Sequence, residues 1–175
     1  MNKDLTLFVE KIYPDASIPL RATPNDTGLD LFAHNFKAVY QNFGGNGERK
    51  VEGKILESAI HDKAIELSYM ERALIGTGIK ATIGTPGYDI QIRPRSGLAF
   101  KRGLTILNTP GTIDVEYKDE ICVLIINLSR ANQEIKLGER IAQMVVAPVE
   151  LPLINIVSKL PTPQDRGGGF GSSGV

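Results

Sequence analysis

The chain has 175 residues, and its 20 Lys+Arg balance 20 Asp+Glu, so the formal net charge is zero. That length fits one domain, and the neutral balance excludes a broad basic surface for nucleic acid or an anionic membrane, so any phosphate site must be local. The single cysteine, Cys122, excludes a disulfide framework and, within the apolar run Ile121 to Ile126, reads as a small core residue suited to a reducing compartment.

In chain order, Met1, Asn2, Lys3, Asp4 lacks the basic and apolar regions of a signal peptide, and no apolar stretch approaches spanning length, so a cytoplasmic chain without membrane or nucleic-acid partners is expected. Leu5 to Ile12 reads as a strand. Asp26, Thr27, Gly28, Leu29, Asp30 reads as a turn entering a short strand, where the carboxylates either cap the turn or meet a metal's water shell. Between Glu48 and Lys63, Val51, Ile55 and Ala59 recur every four residues; Gly53 weakens a helix, and a hairpin fits equally. Arg72 to Ile83 is the next strand run. In the following one, Tyr88, Ile90 and Ile92 alternate with Asp89, Gln91 and Arg93, the period of a half-buried strand.

Pro94, Arg95, Ser96, Gly97 follows directly, so a guanidinium, a hydroxyl and successive backbone N–H groups emerge together. This suits phosphate, particularly if Ser96 opens a short helix over Ser96 to Arg102; the alternative is a Pro-initiated turn with a Ser cap. After a strand at Leu104 to Leu107 comes Gly111, Thr112, Ile113, Asp114, Val115, Glu116, Tyr117, a hairpin or bend presenting Asp114 and Tyr117. An aspartate there can deprotonate water, and a tyrosine ring can pack on a sugar and exclude an extra hydroxyl; ordinary turn chemistry is the alternative. Strands follow at Ile121 to Leu128 and Ile141 to Val149, the latter preceded by Gly138, Glu139, Arg140 and carrying Gln143, either a polar group in need of a partner or a solvent-facing one. Pro161 and Pro163 stiffen the connection to Arg166, Gly167, Gly168, Gly169, Phe170, Gly171, Ser172, Ser173, Gly174, which combines a guanidinium, a ring and close-approaching backbone N–H groups. Such a tail is either a frayed end or a segment ordered by a flat, anionic ligand. His34 and His61 are too isolated for a metal cluster. Short strands at this spacing predict an all-β sandwich or barrel with at most one or two short helices.

Taken together, Asp26 to Ala33, Pro94 to Phe100, Gly111 to Glu120, Gly138 to Val145 and Arg166 to Gly174 resemble, in order, the motifs of the trimeric dUTP diphosphatase (dUTPase) family. The resemblance implies a jelly-roll-like β-barrel over residues 1–160, lengthened by an insertion at 34–64, and a flexible glycine-rich lid at 161–175. It implies a homotrimer whose active sites are shared between chains. The reaction it implies is hydrolysis of dUTP to dUMP and pyrophosphate with Mg²⁺, which limits uracil incorporation into DNA and supplies dUMP for thymidylate synthesis. By that similarity Asp114 acts on the attacking water and Tyr117 reads deoxyribose. Arg95, Ser96, Gly97 and Gln143 contact phosphate, with Mg²⁺ carried mainly by the triphosphate and Asp30 touching its water shell. Asn108, Gly111 and the hairpin backbone to Ile113 read uracil; Phe170 stacks on the base, Arg166 reaches the distal phosphates, and Gly171 and Ser172 add substrate contacts. Arg140 is either a phosphate contact or a structural ion pair. The tail carries one residue fewer between Arg166 and Phe170 than is usual in the family, and Gly76 stands where proline is frequent. The alternatives are a dCTP deaminase-like enzyme, disfavoured because Val123, Leu124 and Ile125 offer no catalytic carboxylate, and a nucleotide-sensing regulatory protein.

Overall fold

The computed structural model describes residues 5–42, 48–52, 60 and 63–161. Its elements are short antiparallel strands and, among the described residues, one helix. A four-stranded sheet runs in the order β10 (Gly111–Ile113), β8 (Tyr88–Arg93), β13 (Arg140–Pro148), β2 (Leu29–Phe32). A five-stranded sheet runs β4 (Glu48–Glu52), β3 (Asn35–Asn42), β6 (Arg72–Gly76), β11 (Cys122–Asn127), β9 (Leu104–Ile106). Two ribbons complete the body: β1 (Phe8–Lys11) with β7 (Ile79–Thr82), and β5 (Ala64–Leu67) with β12 (Gln133–Lys136).

The alternation in β8 holds over its second half, with Ile90 and Ile92 buried and Arg93 exposed, but breaks at its start, where Asp89 is buried and Tyr88 only half-buried. Ile90 and Ile92 join Leu31, Met144, Ile75, Val123, Ile125 and Ile106 in one apolar cluster that draws on both large sheets. Burying a Leu or Ile side chain contributes about 1.5–3 kcal/mol, so this shared core is what holds the sheets face to face. Hydrogen-bonded pairing does not run from one sheet into the other among the described residues, so the jelly-roll-like fold is joined through its core and is not a closed barrel.

Three readings of the sequence change. Arg72 to Ile83 is two strands in different sheets: Gly78, at φ +74°, turns the chain, while the Thr77 hydroxyl donates to Ile121 O at 2.7 Å. Glu48–Glu52 is a strand paired with β3, which decides between helix and hairpin for that part of Glu48 to Lys63; residues 53–59 lie outside the described residues. The strands β5 and β12 were not read from sequence, because four residues give too short a periodic signal; Ile65, Leu67 and Ile135 nevertheless fill the core.

The helix α1 (Ser96–Arg102) forms where expected. Gly103 ends it in the left-handed region, at φ 64°, returning its N–H to Ala99 O and Leu98 O, and Lys101 and Arg102 suit the negative end of the dipole. Arg102 fastens the helix by donating to Gln133 Oε1 at 3.1 Å and pairing with Glu139.

Candidate active site

The end of β8 and the start of α1 bring Arg95, Ser96 and Gly97 to one rim of a cavity. The strand β2 supplies Asp30 to it, β13 supplies Arg140 and Gln143, and the loop before β2 supplies Asp26, Thr27 and Gly28. Asp30 is paired on both oxygens, Oδ1 with Arg95 Nε at 2.8 Å and Oδ2 with Arg140 Nη1 at 3.1 Å. Arg95 Nη1 also donates to Arg140 O at 3.2 Å. These three side chains carry one net positive charge, which Asp26 on the same lining offsets, so what suits an anion here is the pair of forked guanidinium donors. Arg140 is therefore an ion-pair partner here, and its pairing aims Arg95.

Arg95, and not Ser96, occupies the N-cap of α1, without a side-chain capping bond, so Ser96 is the first helical residue. The first-turn N–H groups lack partners within the helix, as at every helix start. Gln143 has a partner: its Nε2 donates to Pro94 O at 2.9 Å, tying β13 to the strand-end turn. Its amide lies so close over Gly28 that a Cβ at that position would collide with Gln143 Oε1. Gly28 is thus a floor for Gln143, a role the sequence reading missed because nothing local marks it. Asp26 caps its turn, accepting from Thr23 Oγ1 at 2.7 Å and Thr23 N at 2.9 Å, and those bonds lower its carboxyl below the ordinary 3.8.

Asp114 and Tyr117 lie in a second cleft, with Tyr88, Asp89, Glu116, Val149 and Leu151. Pairing of Ile113 with Ile90 and Gly111 with Ile92 sets β10 on the edge of β8, and exposed Asp114 follows immediately. The loop is fixed at several points. Thr82 Oγ1 donates to Val115 O at 2.9 Å, Tyr117 N to Asp114 O at 3.1 Å, and the Tyr117 hydroxyl to Glu120 O at 3.0 Å. Burial raises the Tyr117 hydroxyl above its ordinary 10.0, so it donates as a neutral phenol. Asn108 is exposed in the turn between β9 and β10, where a cis peptide joins Thr109 to Pro110, and Asn108 Nδ2 lies against Gly111. Asn108, Gly111, Ile113 and Asp114 thus share one short segment, which is not the expected hairpin: it passes from β9 in the five-stranded sheet, paired with β11, to β10 in the four-stranded sheet, paired with β8. The cavity of Arg95 and Gln143 and the cleft of Asp114 and Tyr117 have no lining residue in common. Arg166, Phe170, Gly171 and Ser172 lie outside the described residues.

The dUTPase family model matches residues 58–174. The chain belongs to the dUTPase family. It is 58% identical over 170 residues to the deoxyuridine 5'-triphosphate nucleotidohydrolase of Nautilia profundicola, an alignment covering 97% of this chain and 99% of the relative. It is 52% identical over 177 residues to the enzyme of the same name from Ehrlichia canis, covering 99% and 98%. Among solved structures it is similar to Staphylococcus bacteriophage 80alpha dUTPase with dUPNHPP, at 26% identity and TM-score 0.70, covering 97% of this chain and 99% of that one. The family match spans four of the five dUTPase-like motifs. The first, Asp26 to Ala33, precedes it, yet the structure sets Asp30 of that motif directly against Arg95 of the second.

Proposed function

We propose that this dUTPase-family chain hydrolyses dUTP to dUMP and pyrophosphate, and that the cavity of Arg95, Ser96, Gly97 and Gln143 takes the phosphates. The observation that carries the reading is the Asp30-centred pair of guanidinium groups beside Gln143, which sets two forked donors at one cavity on a chain of zero net charge. Asp114 is the general base: its carboxylate is exposed at the end of β10, free to take a proton from the water that attacks the α-phosphorus. Tyr117 packs on the deoxyribose, and Asn108 with the backbone from Gly111 to Ile113 reads the uracil edge. Arg166, Phe170, Gly171 and Ser172 complete the substrate contacts from a lid at 161–175 that follows a body at 1–160.

Mg²⁺ fits this site as a companion of the substrate. Among the described residues no group of three His, Cys, Asp or Glu side chains could hold the ion, and both Asp30 oxygens already face guanidinium groups. A triphosphate supplies its own oxygens to Mg²⁺, which keeps several waters, and the ion there neutralises phosphate charge. Asp30 then meets only that water shell, through lone pairs its two ion pairs leave free.

Two observations support a homotrimer with shared sites. The base and sugar-reading residues line a different cleft from the phosphate residues on the same chain. The segment from Leu151 to Leu160 also leaves Leu153, Ile154 and Ile156 at least 94% exposed, apolar surface that needs a cover.

Incubation with dUTP, dCTP and UTP followed by product analysis tests the reading. Pyrophosphate and dUMP are expected from dUTP, with only slow pyrophosphate release from UTP and none from dCTP. Ammonia release from dCTP would establish the deaminase alternative, and dUTP binding without pyrophosphate the sensing one. Asp114→Asn is expected to retain dUTP binding while kcat falls about 10²- to 10⁴-fold, the usual contribution of a positioned general base; turnover that survives removes Asp114 from that role.

A further inference from the structure

The strand β3 meets the loop that carries Tyr117 at the Glu120 side chain. Glu120 Oε1 accepts from Gly78 N at 2.7 Å and from Asn35 Nδ2 at 3.0 Å, and Glu120 Oε2 pairs with Lys37 Nζ at 2.6 Å. Asn35 and Lys37 both belong to β3. The Glu120 side chain is only 12% exposed, and it is seated over Gly76, where any Cβ would collide with Glu120 Oε1. Glycine at 76 leaves room for that carboxylate and for Asn35 Oδ1, which a Cβ would meet just as closely. The main chain of the same residue holds the sugar-reading ring, since Glu120 O accepts the Tyr117 hydroxyl at 3.0 Å.

We infer that Glu120 is a positioning residue for substrate selection: Lys37 and Asn35 of β3 clamp its carboxylate, and its carbonyl thereby sets the height of the Tyr117 ring that excludes a ribose 2'-hydroxyl. The inference rests on the sugar-reading role proposed above for Tyr117. The chemistry of the clamp is specific. Three donors converge on the side chain, and a carboxylate meets them with acceptors only. A glutamine there has to turn its NH₂ toward Lys37, or toward Asn35 and Gly78, placing donor against donor and displacing the residue that holds Tyr117. Discrimination against one hydroxyl is sensitive to such displacement, because misplacement by about 1 Å costs on the order of 10²-fold.

The experiment is steady-state kinetics on dUTP and UTP with the full chain as wild type, Glu120→Gln, Lys37→Met and Lys37→Arg. Glu120→Gln and Lys37→Met are expected to lower the dUTP/UTP ratio of kcat/KM by about tenfold, whereas Lys37→Arg, which keeps the charge, holds it within about twofold. An unchanged ratio in both weakened variants overturns the inference. So does an equal fall for both nucleotides, the signature of a merely structural role. Where Glu120→Gln does not melt cooperatively, Lys37→Met decides alone, since the Lys37 side chain is 36% exposed and substitution at the more exposed partner disturbs the body least. A wild type that makes no pyrophosphate from dUTP, or that does not prefer dUTP to UTP, refutes the parent reading and the inference with it. Selectivity retained by the variants refutes the inference alone.

Discussion

Asp30 lies between two guanidinium groups, and with Asp26 also on the lining the phosphate cavity is formally balanced, so its suitability for an anion rests on the forked donors of Arg95 and Arg140 and not on net charge. Its motif announces a carboxylate; only its neighbours decide that the group aims two arginines. The Glu120 and Lys37 pair titrates in a way that can be checked. Burial works to raise the Glu120 carboxyl, but bonds from Lys37, the Gly78 N–H and Asn35 outweigh it and hold the group below the ordinary 4.5. Burial likewise works to lower Lys37, and Glu120 outweighs it, holding the ammonium above 10.5. A depressed carboxyl stabilises the fold fully above pH 4.5 and loses that contribution as pH falls through the folded value. A raised ammonium does so below pH 10.5 and loses it as pH rises through the folded value. The Tm difference between wild type and a Glu120→Gln, Lys37→Met double variant should therefore be level between those limits and shrink outside them. A difference that keeps growing into acid would contradict the pairing. Cys122 also departs from its sequence reading. It is half-buried beside Glu120 and not in the apolar cluster, and burial first, then the Glu120 charge, pushes its thiol up to about 11, so it stays protonated and unreactive at neutral pH.

Among the elements, β8 and α1 were legible because their signals are local: strict alternation, then a proline, then a short run closed by Gly103. The ribbon of β5 and β12 was not, since each strand has four residues and depends on the other for pairing. The turn between β11 and β12 depends on Asn127, which is wholly buried. Its Nδ2 donates to Leu67 O at 2.8 Å and Ala131 O at 2.9 Å, and its Oδ1 accepts from Ser129 N and Ser129 Oγ, both at 2.8 Å. Asn127→Ala strands several of these groups away from water, and leaving buried polar groups unsatisfied costs about 1–3 kcal/mol each. Denaturant unfolding should show a loss of about 2 kcal/mol or more with an unchanged m-value; a loss within about 0.5 kcal/mol, the range of ordinary surface substitutions, would mean water replaces the network.

For the whole molecule, the separation of Asp114 and Tyr117 from Arg95 and Gln143 on one chain leads to a mixing experiment. Arg95→Ala and Asp114→Asn subunits, each nearly inactive alone, should regain turnover when unfolded and refolded together, because some mixed sites take Arg95 from one chain and Asp114 from another. A mixture no more active than its components, or sedimentation at the mass of a single chain, would refute the shared-site assembly. The same experiment probes the exposed apolar run at Leu153, Ile154 and Ile156, whose cover in such an assembly is a neighbouring chain.

The sequence by itself determined the strand-rich class, the short helix and the order of the five motifs, because alternation, turn residues and caps act over a few positions and leave a local record. Tertiary structure alone decided that Arg72 to Ile83 divides between two sheets, that β3 and β4 extend the five-stranded sheet, and that Asp30, Arg95 and Arg140 form one ion-paired cluster. It also decided why Gly28 and Gly76 have no side chain: each lies beneath a polar group brought from a distant strand or loop, Gln143 in one case and Glu120 in the other. Contacts of that kind arise from packing between segments far apart in the chain, and no local pattern of residues encodes them.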